Sequence, residues 1–509
     1  MNLLTRKQSK DLDKISIEDF KIEPNILMEN AGKLISIKSI ELLSNINNPF
    51  ILVVSGNGNN GGDALVAAKI LDKKKYNVKI FTLLNQNRKN LSLKYYEQCI
   101  SRNIPIIFDN DIDKIKTPDL IIDGLLGTGI KQKIRKETAR IIKWINESNS
   151  IVLSIDVPSG LNIDSGIVDD VCVKASYTFT IEAQKLGMIF RDGKKYSGIV
   201  QTAKIGFPKK AFSAISGLNW KLFNERCVKN FLKKPKIDKN KYNSGKVLII
   251  AGSRGMTGAS ILATYGALRS GAGMTISIVA SSLNNIYEKT IIEGITLSLE
   301  DNDKGYLAIE HYDKIMEKVK WADSILLGPG LGRHKDTLKL IKKLIFSIKK
   351  PLVVDADGLF IFKNNYQELN NRKYPLIITP HFGELSNILG INKNELLYNF
   401  PDIMTNFMKN FYHVALVKQI PSCTFYGKNV IINTSGNPGL ATAGSGDVLS
   451  GIIASFVAQG ILINDATALA AFIHGKSSDI ILNKKGYRGQ IPSDLFNSIP
   501  EVIMGYEKS

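Results

Sequence analysis

The segment Gly444-Ser445-Gly446-Asp447 joins small residues to a carboxylate just ahead of apolar pairs, Val448-Leu449, Ile452-Ile453 and Phe456-Val457, that recur at helical spacing. The pattern predicts a helix from about Gly446, with the segment at its N-terminus. There the free amides of Gly444, Ser445 and Gly446 can neutralise a transferring phosphoryl group, and Asp447 can take a proton from an attacking hydroxyl. The chemistry this arrangement suits is nucleotide-dependent transfer to a small hydroxyl-bearing substrate. A solitary Gly-Asp at a helix start is more often only a carboxylate favoured by the helix dipole. Elements upstream shift that balance: Gly252-Ser253-Arg254-Gly255-Met256-Thr257-Gly258-Ala259, Leu327-Gly328-Pro329-Gly330-Leu331-Gly332, Asp355-Ala356-Asp357 and Thr379-Pro380-His381-Phe382-Gly383-Glu384. The first three follow apolar strands at their carboxyl ends and the last closes one, so together they outline one cleft. Pro380 before His381 and Gly383-Glu384 after it put His381 in a loop facing ligand. Glu384 suits a water-mediated role at a magnesium ion bridging phosphates, or else is a helix-start carboxylate. Lys418 follows the apolar run 414–417, where it can meet nucleotide phosphate or simply face solvent.

The first half carries a second set of chemical residues. The run 51–54 leads into Ser55-Gly56-Asn57-Gly58-Asn59-Asn60-Gly61-Gly62-Asp63 and then into 64–74, which has helical character. Strand, glycine-rich loop and helix favour an anionic ligand. Gly56, Gly58 and Gly61 spell G-x-G-x-x-G, a weak signal alone. The carboxylate expected after the next strand of an ordinary NAD-dependent dehydrogenase is missing, because 78–84 leads to Asn85. Two more strand ends carry Asp123, before Gly124-Leu125-Leu126-Gly127-Thr128-Gly129, and Asp156, before Val157-Pro158-Ser159-Gly160. Each Asp alone can be a turn or helix cap, but three polar loops after three strands converge on one pocket. Asp156 or Asp63 can act as general base there, while Asn60, Asp123 and Ser159 offer hard oxygen ligands for a cation.

The elements that must position these residues alternate short β-branched runs with helical segments, the signature of parallel sheets wrapped by helices. The alternation lapses near Lys233-Lys234-Pro235-Lys236 and restarts at 247–250, so the expected division is 1–220 and 221–509, two α/β domains. A chain of 509 residues is long for one core, and 44% hydrophobic with 22% charged residues is ordinary globular composition. The net charge of +20 is spread in short lysine runs with acids between, so nucleic acid is the lesser reading and attraction of anionic small molecules the better one. Four scattered cysteines without C-x-x-C spacing fit a reduced compartment, and neither a signal peptide nor a membrane-length apolar run is evident. A cytoplasmic location and a homo-oligomer are expected.

Met28-Glu29-Asn30-Ala31-Gly32, Asn59-Asn60-Gly61-Gly62-Asp63, Asp123-Gly124-Leu125-Leu126-Gly127-Thr128-Gly129 and Asp156-Val157-Pro158-Ser159-Gly160-Leu161, in that order, resemble the NAD(P)H-hydrate epimerase family. The resemblance implies a Rossmann-like three-layer α/β domain that interconverts the R and S epimers of NADHX and NADPHX, the ring-hydrated cofactors. It also implies potassium on Asn60, Asp123 and Ser159. Substrate would lie on Asn59, Asn60, Gly61, Gly62, Asp63, on Gly127, Thr128, Gly129, Ile130, Lys131, Gln132, Lys133, and on Asp156 as the catalytic group. The second half resembles the ribokinase-like fold and, more closely, the ADP-dependent NAD(P)H-hydrate dehydratase family. That resemblance implies phosphorylation of the ring hydroxyl from ADP and loss of phosphate to restore NAD(P)H. Asp447 would be the base; Gly330, Gly332, His381 and Asp447 would meet the hydrate; Lys418, Gln419, Ile420, Pro421, Gly444, Ser445 and Gly446 would meet the nucleotide; and Glu384 would reach magnesium through water. Ala64, Ala443 and Gln419-Ile420-Pro421 depart from the families' usual glycines. The rival reading is a vitamin or sugar kinase with an added dinucleotide- or RNA-binding domain.

Overall fold

The computed structural model describes residues 2–83, 90–127, 134–235, 237–238 and 240–507. The chain forms two compact units: one of residues 2–217 with 398–401, the other of residues 218–397 with 402–507.

In the first unit the strands are β1 (Asn2–Leu4), β2 (Phe50–Ser55), β3 (Asn77–Thr82), β4 (Ile106–Phe108), β5 (Leu120–Gly124), β6 (Ile151–Ile155), β7 (Tyr177–Ile181), β8 (Gln184–Lys185) and β9 (Ile199–Ala203). Seven of them make a parallel sheet in the order β4-β3-β2-β5-β6-β7-β9. All six residues of β2 are buried. Their alternation explains why: Ile51 and Val53 enter the core on one face, Phe50, Leu52 and Val54 that on the other. Order reverses between β2 and β5, so the carboxyl ends of β2, β5 and β6 open a crevice there.

The glycine-rich stretch after β2 is not a loop before a helix at 64. Asn59-Asn60-Gly61-Gly62-Asp63 already form the first turn of the helix Asn59–Lys73. The glycines serve backbone packing: a Cβ on Gly61 would lie 1.9 Å from Gly56 O, and one on Gly56 would lie 1.9 Å from Leu125 O.

The second unit contains β10 (Asn219–Leu222), β11 (Lys246–Ile250), β12 (Met274–Ala280), β13 (Ile295–Leu299), β14 (Ser324–Leu327), β15 (Leu352–Val354), β16 (Leu376–Ile378), β17 (Val414–Val417), β18 (Ser422–Tyr426) and β19 (Asn429–Asn433). They run in the order β13-β12-β11-β14-β15-β16-β17-β18-β19-β10. From β13 to β17 in this order each strand is parallel to the next, and β18 is antiparallel to both β17 and β19. The loops after β11, β14, β15, β16 and β17 therefore leave one edge.

The helix Ser445–Ala458 packs on the helix Thr257–Arg269 at backbone distance. A Cβ on Gly451 would lie 2.0 Å from Ala263 O, and one on Gly266 would lie 2.4 Å from Val448 O. Small residues at both contacts fix the depth and axis of the helix whose start bears Asp447. Among the described residues no helix is long and apolar enough to cross a membrane.

Candidate functional site

In the second unit, Gly444 caps the helix Ser445–Ala458 with φ 93°, a left-handed conformation open to glycine. A side chain there would also strike Leu262, whose Cδ1 lies 2.4 Å from the Cβ position. Ser445 is anchored from below by buried His474, whose Nε2 donates to Ser445 O at 3.1 Å. Burial pushes the His474 imidazole down to about 4, so it serves as a neutral donor.

Asp447 stands in the helix's first turn, and its carboxyl is pushed up to about 7. Burial is the main cause. The nearby charges of Asp355, Asp357 and Glu384 raise it further, while Lys418 pulls it down.

Lys418 is neither solvated nor free to roam. Its Nζ donates to Asp355 Oδ1 at 2.6 Å, and its side chain is 19% exposed. Asp355 is fully buried at the end of β15, where it also accepts from the Ala356 amide and the Ser450 hydroxyl. Burial opposes the Lys418 charge, but Asp355, Glu384 and Asp447 outweigh it and hold the ammonium above the usual lysine value. A Cβ on Gly446 would lie 3.1 Å from Lys418 Nζ, so this cation sits against the start of the helix Ser445–Ala458. Gln419, Ile420 and Pro421 form the turn into β18. Gln419 reaches Cys423, Ile420 is exposed, and the Ile420–Pro421 peptide is cis.

His381 caps the helix Phe382–Leu389: its Nδ1 accepts from the amides of Gly383 and Glu384 at 3.0 and 3.2 Å. The ring is 58% exposed. Glu384 returns the contact through Oε2 to the His381 amide at 2.8 Å, so its helix-start role is real. Burial lifts the Glu384 carboxyl, Lys418 lowers it and Asp355 raises it again. Gly330 and Gly332 are drawn in by Ser253 Oγ, which donates to Gly330 O at 2.8 Å, and by Asp357, which accepts from the Gly332 amide at 3.0 Å.

Asp355, Asp357 and Glu384 thus surround Asp447 with negative charge, met by Lys418 on Asp355 and by Arg333, whose Nε lies 3.0 Å from Asp357 Oδ1, and the remaining excess suits a divalent cation. Among the described residues no group of three or more His, Cys, Asp or Glu side chains forms a ready cage. The arrangement fits magnesium that keeps its waters and leans on phosphate oxygens.

The first unit brings Asn60, Asp123 and Ser159 together. Asp123 is fully buried and accepts from the Ser159 hydroxyl at 2.6 Å, the Ser154 hydroxyl at 2.8 Å, the Ser159 amide at 3.0 Å and the Leu125 amide at 3.3 Å. Asn60 Nδ2 donates to Leu126 O at 2.9 Å, and Leu126 O lies 3.2 Å from Ser159 Oγ. Burial raises the Asp123 carboxyl, and these hydrogen bonds lower it. Every donor on Asp123 is neutral, so oxygen ligands with an uncompensated buried carboxylate fit a monovalent cation.

Beside them Asp156, at φ 63°, accepts from the Ile181 amide at 2.9 Å and pairs with Lys185. Asp63 is buried, and its carboxyl stands well above the usual range because of burial and the charges of Asp156 and Asp13. Gly127 lies against Asn60, its Cβ position 3.1 Å from Asn60 Cβ, whereas Thr128, Gly129, Ile130, Lys131, Gln132 and Lys133 lie outside the described residues.

A family model described as NAD(P)H-hydrate dehydratase matches residues 247–501, and one described as YjeF-related protein N-terminus matches residues 24–187. The bifunctional NAD(P)H-hydrate repair enzyme Nnr of Dictyoglomus turgidum is 33% identical over 509 residues, covering 99% of this chain and 98% of its own length. Its counterpart in Moorella thermoacetica is 32% identical over 519 residues, covering 100% and 98%. The chain belongs to the family of bifunctional NAD(P)H-hydrate repair enzymes. Among solved structures, the ADP/ATP-dependent NAD(P)H-hydrate dehydratase from Bacillus subtilis co-crystallised with ATP/Mg2+ shares the fold of the second unit. It has a TM-score of 0.50 at 24% identity and covers 56% of this chain and 98% of its own.

Four residues of this repair-enzyme chain escape motif reading although they touch its candidate sites. Lys185 lies outside every glycine-rich loop, and its only signal is a lysine within the largely apolar stretch 183–188. Asp13 comes from the helix Arg6–Glu18, far upstream of any motif, yet burial and Asp156 push its carboxyl up to about 6 while Lys185 pulls it down. His474 and Ser450 sit inside helices at core spacing and read as packing.

Proposed function

We propose that the chain carries both repair activities of its family: epimerisation of R- and S-NAD(P)HX by the first unit, and ADP-dependent dehydration of S-NAD(P)HX to NAD(P)H by the second. The observation that carries the reading is Asp447, a carboxyl tuned to about 7 at the mouth of a helix N-terminus. A base with that value is half ionised at neutral pH and strong enough to draw a proton from a hydroxyl.

In the second unit Asp447 takes the proton of the ring hydroxyl, and the oxygen attacks the terminal phosphorus of ADP, releasing AMP. Amides of Gly444 and Gly446 meet the charge developing on the phosphoryl oxygens, with Lys418 behind them, whereas the Ser445 amide, expected to be free, already donates to Thr442 O at 3.3 Å. Phosphate then departs from the carbon beside the ring nitrogen, and a proton leaves the neighbouring carbon to restore the double bond. Magnesium near Glu384 would neutralise nucleotide phosphate; His381, Gly330 and Gly332 border the hydrate. Gln419, Ile420 and Pro421 would line the nucleotide side.

In the first unit the carbon to be inverted bears both a hydroxyl and the ring nitrogen. Loss of that hydroxyl as water and return of water to the opposite face require one acid and one base. Asp63, whose carboxyl burial and the charge of Asp156 raise well above the usual range, serves as the acid, and ion-paired Asp156 as the base. Asn60, Asp123 and Ser159 would hold potassium, which fixes the crevice and balances Asp123.

The deciding experiment incubates the full chain with mixed NADHX epimers and ADP, or ATP in parallel, and follows absorbance at the NADH band. Complete recovery with ADP is expected, because epimer exchange feeds the dehydratase. Recovery of only one epimer's share refutes the first activity. A stable phosphorylated product without NADH makes the second unit a kinase.

A further inference from the structure

Lys185 lies at the end of β8, with 4% of its side chain exposed. Its Nζ donates to Asp156 Oδ1, to Thr180 Oγ1 at 3.2 Å and to Ile181 O at 2.9 Å. An ammonium has three hydrogens, and all three are committed within the protein. Lys185 therefore has no donor left for a substrate, and its task is internal.

The same contacts viewed from Asp156 are one-sided. Oδ1 receives Lys185 Nζ, the Ile181 amide at 2.9 Å and the Thr180 hydroxyl 3.3 Å away. Among the described residues these contacts all fall on Oδ1 and none on Oδ2, with the Thr180 hydroxyl sharing its one hydrogen between Oδ1 and Ala183 O at 3.2 Å. A carboxylate clamped through one oxygen works through the other. The backbone agrees, since Asp156 holds φ 63°, a conformation that a non-glycine residue keeps only when its surroundings enforce it. Asp63 and Asp13 both act electrostatically on Asp156, so the lysine is also the cation that holds this carboxylate beside two others.

We propose that Lys185 is the positioning residue of the epimerisation site: it fixes Asp156 through Oδ1 and so presents Oδ2 to the substrate. The inference rests on the reading of Asp156 as general base. Thr180, which touches both partners, is the second member of the clamp.

The test uses the full chain without nucleotide, so that dehydration cannot run, and follows exchange between S- and R-NADHX by chromatography. Lys185→Met keeps the aliphatic bulk and removes the ammonium. Its kcat for exchange should fall about 100-fold with KM within about threefold of wild type, the mark of lost alignment and not lost binding. The double variant Lys185→Met with Asp156→Ala should be no slower than Asp156→Ala alone, because the lysine acts through the aspartate. Lys185→Ala should regain activity with added ethylammonium and not with ethanol. If Lys185→Met does not fold, Thr180→Val reads the same clamp, with kcat expected to fall about fivefold at unchanged KM. A wild-type kcat in the folded variant, or losses that add to that of Asp156→Ala, overturns the positioning role. Wild-type exchange by Asp156→Ala instead sinks the base assignment, and the proposal with it.

Discussion

The dehydration rate of the second unit should carry an acid limb near pH 7, set by Asp447. A carboxyl of ordinary value would be ionised throughout the working range, and its rate would be flat down to about pH 5. Asp447 is lifted to about 7, chiefly by burial and next by Asp355. The ionised form is the base, so activity is full above that value and lost as pH falls through it. At about pH 5.5 only some 3% of a group with that value is ionised, so kcat/KM should be roughly thirtyfold below its plateau. Asp355→Asn removes the second cause and frees Lys418 from its partner, while Asp357 and Glu384 still act on Asp447. Loss of a neighbouring negative charge favours the ionised form, so the limb should move down by about one pH unit. The assay is recovery of NADH absorbance from S-NADHX and saturating ADP, from about pH 5.5 to 8.5, with spontaneous loss subtracted. A limb belonging to the nucleotide's own phosphate would stay put in Asp355→Asn. A flat wild-type profile, or a limb indifferent to Asp355, would refute the assignment.

Two further substitutions separate the units. Gly446→Ala places a methyl 3.1 Å from Lys418 Nζ and forces the ammonium away from the loop; kcat for dehydration should fall about tenfold, with epimer exchange and Tm nearly unchanged. Ser159→Ala removes the 2.6 Å hydroxyl bond to buried Asp123. It should cost about 1–3 kcal/mol of stability in denaturant titration of the first unit's transition, and abolish potassium stimulation of exchange while dehydration persists.

Residues at strand ends were legible because their signal is local. An apolar run followed by Gly, Asp or Ser marks where a parallel strand stops, and the sheet brings such ends to one edge whatever the intervening sequence. Asp123, Asp156 and His381 stand at such ends, whereas Asp447 is marked by the helical spacing of the apolar pairs that follow it. The start of the helix Asn59–Lys73 was misread for a physical reason. Adjacent glycines at 61 and 62 oppose helix by propensity, at about 1 kcal/mol each, and so suggest a loop. Packing decides otherwise, since only glycine lets this first turn approach Gly56 and the residues after β5. Lys185 was illegible because its partner Asp156 is 29 residues away and Lys185 itself follows no glycine-rich loop. The Lys418–Asp355 pair spans 63 residues, so each was visible alone while the bond that defines both was not.

The two lysines show how one kind of ion pair serves two chemistries. In the first unit the buried lysine grips the candidate base itself, taking one oxygen of Asp156 and leaving the other for a short proton transfer. In the second unit the lysine grips Asp355, one residue removed from the chemistry, and Asp447 keeps its high value through burial first and the charge of Asp355 next. The difference matches the tasks. Departure and return of water at a carbon beside nitrogen need an acid more than a strong base, the role proposed for Asp63. Activating a hydroxyl against phosphorus needs the stronger base, which a direct lysine partner on Asp447 would weaken by stabilising its ionised form. Moving that partner to Asp355 keeps positive charge beside the phosphoryl group while sparing Asp447.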